Sequence, residues 1–279
     1  MTPENPVTLL SWSPSLPFLA QLFPLIIRIT PAEIKTTTAS TMESQTISED
    51  SRGTICQKAD PNHRSNAIYI MNVAIRHNNQ GVALLEMGRH QGALAEFKIA
   101  ALQLHSLTCE LHQRQMFDES TFLSQSLSRH SWIPTDNAFV RSTAILLTPT
   151  DKPPTSCTTE SATILINMAL SYHLNSMIPN SLQDATRNAI ELYRMANSLA
   201  ARCTPDSLSH QIILISLNNL GQLQHELGNF DASKAYFEDL STYVVWLRGS
   251  SEASMVSDRH DFMINAMVLG SSNICAGAA

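Results

Sequence analysis

The sequence predicts an all-α fold, and three features of the chain lead to that prediction. Apolar residues recur at three- and four-residue steps, as at Ile75, Val82 and Leu85, which is the period of a buried helix face. A motif of asparagines, glycines and one phenylalanine occurs twice with the same internal spacing. Between the two copies, the helical pattern is interrupted by a single polar stretch that contains four prolines. We therefore expect paired helices with one long insertion.

Composition limits the classes of partner. The 279 residues carry a formal net charge of -6, so a basic face that could neutralise several nucleic-acid phosphates is not expected. The five cysteines lie far apart, with no Cys-x-x-Cys pair, and this pattern indicates neither a disulfide framework nor a zinc ribbon. These features favour a cytoplasmic protein with no nucleic-acid partner.

The first 64 residues are predicted to be poorly ordered. An apolar run at residues 7–29 contains three prolines and follows a start without lysine or arginine, so neither a membrane-spanning helix nor a cleaved signal peptide is favoured. Residues 36–60 are rich in serine and threonine, a composition too polar to offset the entropy of ordering. One hypothesis is that the functional chain begins at Met42.

The two copies of the motif match without a gap. The first consists of Asn78, Asn79, Gly81, Glu86, Gly88, Ala93 and Phe97; the second consists of Asn218, Asn219, Gly221, Glu226, Gly228, Ser233 and Phe237. In each copy the second glycine falls where a helix must stop, because glycine adopts the left-handed conformation without a side-chain clash. Each copy therefore predicts a helix, a tight turn and a second helix.

This motif resembles the tetratricopeptide repeat, whose pattern W-x2-L-G-x2-Y followed by A-x3-F places small residues where two antiparallel helices cross. The Asn-Asn-Leu-Gly start is most similar to the long repeats of the kinesin light chain type. The resemblance implies an α-α superhelix of about three helical hairpins over residues 65–270, with a flexible tail at 271–279. It also implies that Phe97 and Phe237 are the large residues that pack between repeats.

A third, degenerate copy and a single final helix complete the resemblance. In the third copy the turn is eight residues longer, around Ser176–Ser181. Phe262–Leu269 fits a lone capping helix of the kind that solenoids need at their ends. The residues expected to pack within the repeats are Gly81, Ala93, Phe97, Ala169, Ala189, Tyr193, Gly221, Ser233 and Phe237.

In the tetratricopeptide family, one face of the first helices lines a concave groove. The residues that the resemblance places there are Asn78, Val82, Leu85, Ile166, Leu170, His173, Asn218, Gln222 and His225. His173 and His225 occupy equivalent positions, where a partly exposed histidine bonded to a backbone carbonyl is favoured over a pH-responsive ligand contact. Asn79, Asn167 and Asn219 also share one register. They can bind a peptide backbone or satisfy nearby backbone groups, and the second role is favoured.

The insertion, at about residues 108–160, contains one apolar run, Ala138–Leu147, that is rich in strand-forming residues. It can form one or two short strands that lie against the helices, or it can be a disordered segment with an apolar patch. Both alternatives remain open from the sequence.

The sequence contains few motifs that are typical of enzymes or metal sites. The chain has no phosphate-binding loop, nucleophile elbow or His-Glu-x-x-His pair, and Cys109 with His112 would need further ligands to hold a metal. We expect no cofactor and no metal. The leading hypothesis is a non-enzymatic scaffold that binds a peptide or a partner helix in the concave groove. The alternatives are an enzyme with a histidine-based site between insertion and groove, and a self-associating structural protein.

Overall fold

The computed structural model describes residues 61–115, 128–132, 140–154, 156–178, 184–203, 205–249 and 259–271. These residues form seven helices and two strands: α1 (Pro61–Glu86), α2 (His90–Gln115), β1 (Ser128–Trp132), β2 (Thr143–Leu147), α3 (Thr158–Ser176), α4 (Asp184–Ala200), α5 (Ser207–Glu226), α6 (Phe230–Gly249) and α7 (Arg259–Ser271). The predictions for the apolar run at 7–29, the polar stretch at 36–60 and the tail beyond residue 271 lie outside the described residues.

The protein is mostly helical, and each helix packs against the next one along the chain. In addition, α1 contacts α3, α3 contacts α5, and α5 contacts α7. The odd-numbered helices therefore form one continuous layer, and each even-numbered helix packs between two of them. None of the described helices is both long and apolar enough to cross a membrane.

The turns inside the first and last hairpins have the conformation predicted from the sequence. Gly88 and Gly228 have φ angles of 69° and 75°, in the left-handed region that favours glycine. After Gly88, the Arg89 N–H donates to the Leu84 carbonyl at 2.8 Å, which satisfies a carbonyl at the helix end. The prediction of a helix stop at both glycines is confirmed.

Two phenylalanines fill the space left by two glycines. A Cβ atom added to Gly81 would lie 2.5 Å from the Phe97 ring, and one added to Gly221 would lie 2.8 Å from the Phe237 ring. Both rings are almost completely buried. These contacts join the two helices of one hairpin, whereas the resemblance placed the rings between repeats. The ring can reach the facing helix because that helix has no side chain at the contact.

The middle hairpin, which is the degenerate third copy of the motif, is formed by α3 and α4. Ala169, Ala189 and Tyr193 are fully buried in it. Helix α3 ends at Ser176 and α4 begins at Asp184, so the longer connection is present, although residues 179–183 lie outside the described residues. Helix α5 begins with a capping box, in which the Asp206 side chain accepts the backbone N–H of Ser209 at 2.7 Å.

The boundaries of the insertion differ from the prediction. Helix α2 continues to Gln115, seven residues beyond the expected start at 108. The extension is helical because residues 108–115 contain good helix formers and no proline or glycine. The first helix likewise includes residues 61–64, before the expected start at residue 65, and proline is tolerated in the first turn of a helix.

A strand forms within the apolar run of the insertion. Strand β2 pairs antiparallel with β1, with Ser128 opposite Leu147 and Trp132 opposite Thr143. It also packs against α1 and α3. Of the two alternatives for this run, the structure therefore has the strand that lies on the helices.

Candidate functional site

An extended segment of the insertion crosses the layer of odd-numbered helices. We call Val140–Thr150 the bound segment. Residues 140–145 and Leu147 are buried, whereas Thr148 and Pro149 are exposed. The segment therefore has a buried face along most of its length, and it becomes exposed close to its carboxyl end.

Four asparagines hold the backbone of the bound segment, and we call them the asparagine row. In each, the side-chain oxygen accepts the N–H of one segment residue, and the side-chain nitrogen donates to the carbonyl of the same residue. The pairs, with the accepting distance first, are Asn72 with Thr150 (2.9 and 2.8 Å), Asn79 with Leu147 (2.9 and 2.8 Å), Asn167 with Ile145 (2.9 and 2.8 Å) and Asn219 with Arg141 (2.8 and 3.1 Å).

The asparagine row recognises the main chain of the bound segment and not its side chains. Each asparagine presents one donor and one acceptor to a peptide residue, so any extended segment with a backbone N–H at these positions can make the same bonds. The segment runs from Asn219 on α5, past Asn167 on α3, to Asn79 and Asn72 on α1. Its direction is therefore opposite to the order of the helices.

Asn79, Asn167 and Asn219 satisfy backbone groups of the chain itself, which is the role favoured from the sequence. These backbone groups are close in space but not along the chain. Their partners are 68, 22 and 78 residues away. The side chains project from the layer of odd-numbered helices onto a segment whose own backbone has no helical partners, and there they replace the hydrogen bonds that a neighbouring strand would make.

A second set of asparagines orients the row. Asn78 donates to the Ile145 carbonyl at 3.0 Å, and its oxygen accepts from Asn167 at 2.9 Å. Asn218 donates to the Asn219 oxygen at 3.0 Å and accepts from Asn265 of α7 at 2.8 Å. Asn78 also donates to the Asn79 oxygen at 3.2 Å. Because Asn79, Asn167 and Asn219 are each bonded to a neighbouring amide, this part of the row is preorganised for an extended chain.

His173 does not face the bound segment. It is fully buried, and its Nδ1 lies 3.4 Å from the hydroxyl of Tyr193 on α4. The same hydroxyl accepts from Asn219 at 2.9 Å. Burial lowers the pKa of His173 to about 3 and raises the pKa of Tyr193. The expected partly exposed histidine is therefore a neutral core residue behind the row.

We predict that His173 makes the protein less stable in acid. Its pKa in the fold is about 3, below the ordinary 6.5, so between these values the unfolded chain binds the proton more readily. The contribution of the neutral His173 ring to the free energy of unfolding is fully present well above pH 6.5. It decreases as the pH is lowered, by about 2 kcal/mol at pH 5. Urea unfolding of His173→Phe should show a weaker dependence between pH 7 and 5. The exposed His260→Gln control should match wild type, and an unchanged slope in His173→Phe would contradict the assignment.

The amino end of the bound segment carries its one charged residue, Arg141. The guanidinium lies 5.3 Å from the centre of the Phe262 ring, and Nη1 lies 3.2 Å from the Asp261 carboxylate. Only 9% of the Arg141 side chain is exposed, against 60% for Asp261. Asn219 of α5 and two residues of α7 thus fix both the backbone and the side chain of this arginine.

None of the nine predicted groove residues is exposed. Asn78 bonds the segment directly, and Asn218 bonds it through Asn219. His225 is half-buried, with its ring 5.3 Å from that of Phe230. The others are buried: Val82, Leu85, Ile166, Leu170, His173 and Gln222.

Asn72, Arg141 and Asp261 are not among the site residues predicted from the sequence. Asn72 lies seven residues, close to two helical turns, before Asn79, so the spacing places both on one face of α1. That signal was present in the sequence. Nothing local marks Arg141 and Asp261 as partners, because they meet only through a contact that spans 120 residues.

No metal centre is found among the residues that the structure describes, since they include no group of three or more histidine, cysteine, aspartate or glutamate side chains placed to hold an ion. Cys109 is exposed, and its Sγ lies 3.7 Å from Nε2 of His105. Comparison with known proteins gives no further identification: no family model, no curated protein and no solved structure matches the chain.

Proposed function

We propose that this protein is a non-enzymatic interaction module, a tetratricopeptide-like helical repeat that binds an extended peptide along its asparagine row. One observation carries the proposal. Asn72, Asn79, Asn167 and Asn219 each make a pair of hydrogen bonds to the backbone of one residue in an extended segment. Such a row recognises any peptide that adopts the same extended path.

The packing of the helices supports this assignment. Because the odd-numbered helices contact one another and the even-numbered ones pack between them, the layer of odd-numbered helices forms a continuous surface across the hairpins. A superhelix of stacked hairpins produces such a surface. The repeated Gly81–Phe97 and Gly221–Phe237 contacts support a repeat architecture in which the same close approach recurs.

Two described histidines of the odd-numbered helices, His173 and His210, do not favour the enzymatic alternative. His173 is buried against Tyr193, and His210 lies 2.8 Å from the hydroxyl of Tyr243. A general base needs a position within hydrogen-bond reach of a substrate proton. These rings instead pack against tyrosines of neighbouring helices.

A selection from a random peptide library tests the proposal. The protein used is the full chain carrying Ile145→Asp and Leu147→Asp. Carboxylates at these two buried positions weaken the binding of its own segment to the asparagine row. Selected peptides should bind with micromolar or better affinity, and methylation of single backbone nitrogens should abolish binding at some positions. The matched variant that also carries Asn167→Ala and Asn219→Ala should bind at least tenfold more weakly. Equal binding to both variants would contradict the proposal.

A further inference from the structure

The geometry points to an arginine-containing peptide as the partner and to the bound segment as its built-in competitor. The inference rests on the proposed function and extends it. In this account the partner is an extended peptide that places an arginine against Asp261 and Phe262. Aliphatic side chains follow four and six residues later, and the peptide binds by displacing Val140–Thr150.

The arginine pocket supplies the specificity that the asparagine row lacks. The row contacts only main-chain atoms, whereas the Arg141 side chain meets a carboxylate at 3.2 Å and an aromatic face at 5.3 Å. Guanidinium groups stack on rings and pair with carboxylates at the same time. Asp261 is largely exposed, so it forms the open side of the pocket.

Two further positions of the bound segment restrict the size and polarity of the side chains that a partner peptide can have there. The Ile145 side chain is completely buried, and that of Leu147 is 2% exposed. They lie four and six residues after Arg141, and both have their backbone held by the row. A partner in the same register therefore needs an apolar residue at each of these positions, because a charge buried there would be unpaired.

The bound segment is suited to being displaced. Its contacts to the row are main-chain hydrogen bonds that another extended peptide can make equally well, and the exposed Thr148 and Pro149 lie between the residues held by Asn79 and Asn72. Tethering gives such a segment an effective concentration on the order of 1 mM. If the free segment binds with a dissociation constant on the order of 10 μM, the tether weakens an outside peptide about 100-fold.

Fluorescence anisotropy with a labelled peptide of residues 140–150 tests the inference. The peptide is titrated with the wild-type chain and with the full chain carrying Ile145→Asp and Leu147→Asp. We expect binding to the variant to be at least tenfold tighter than to wild type. A second peptide carrying Arg141→Glu should bind the variant at least tenfold more weakly, and adding Asp261→Arg to the variant should restore part of that loss.

The outcomes separate the two proposals. If the 140–150 peptide binds both chains equally, the segment is not a competitor and the inference is overturned. Equal binding of the arginine and glutamate peptides would overturn the specificity pocket. If neither this peptide nor any library peptide binds the double aspartate variant, the proposed function itself fails. Should that variant not fold, as judged by circular dichroism, Ala144→Asp serves in its place, because Ala144 is also fully buried.

Discussion

Alanine in place of Asn167 is expected to release the middle of the bound segment and to destabilise the protein. The substitution removes both hydrogen bonds to Ile145, whose N–H and carbonyl are buried. It also leaves the Asn78 oxygen without the donor that Asn167 provides. An unsatisfied buried polar group costs about 1–3 kcal/mol, and Asn78 still donates to the Ile145 carbonyl. We therefore expect a loss of about 2 kcal/mol in the free energy of unfolding by urea.

Limited proteolysis distinguishes release of the segment from a general loss of stability. In wild type Arg141 is buried, so trypsin should cleave slowly after it, whereas in Asn167→Ala the fragment ending at Arg141 should appear faster. Asn197→Ala is the matched control, because Asn197 is a half-buried asparagine on α4. It should leave both the unfolding free energy and the cleavage rate close to wild type. Identical cleavage of Asn167→Ala and wild type would contradict the role given to Asn167.

Gly81→Ala is expected to destabilise the first hairpin, while Gly92→Ala on the facing helix should not. A Cβ at position 81 would lie 2.5 Å from the Phe97 ring, but one at position 92 would approach the Leu84 side chain no closer than 3.5 Å. Overpacking of this kind costs about 1–3 kcal/mol. Alanine at an unobstructed helical glycine stabilises by about 0.5–1 kcal/mol. Urea unfolding should therefore shift in opposite directions for the two variants.

A double-mutant cycle then tests the cause. If the methyl group of Gly81→Ala clashes with the ring, it should cost less in a Phe97→Leu background, because the ring is no longer there. A coupling of about 1 kcal/mol between the two sites is expected. Simple additivity would show that the glycine acts through backbone flexibility and not through contact with Phe97.

The parts of the fold that the sequence predicts are those determined by local chemistry. Gly88 and Gly228 mark helix ends because the left-handed conformation depends on the residue itself. The paired helices follow from the apolar period. The extension of α2 beyond residue 108 is harder to predict, because residues 108–115 contain no apolar repeat of the motif and no proline or glycine that marks a boundary.

The candidate site is harder to predict from the sequence, because its contacts join distant parts of the chain. The shared register of Asn79, Asn167 and Asn219 is visible in the sequence, but their partners lie 22 to 78 residues away. The same limit applies to His173, whose burial depends on the position of Tyr193 on another helix. A register identifies which residues share a face, and only the tertiary arrangement decides what that face contacts.

Amide hydrogen exchange measured by NMR on the full chain tests the central claim most directly. If the asparagine row holds the bound segment, the amides of Arg141, Ile145, Leu147 and Thr150 should exchange at least 100-fold more slowly than in an unfolded chain. Combined substitution of Asn72, Asn79, Asn167 and Asn219 by alanine should remove that protection while the helical circular dichroism persists. Exchange at the unfolded rate in wild type, or full protection in the fourfold variant, would contradict the account.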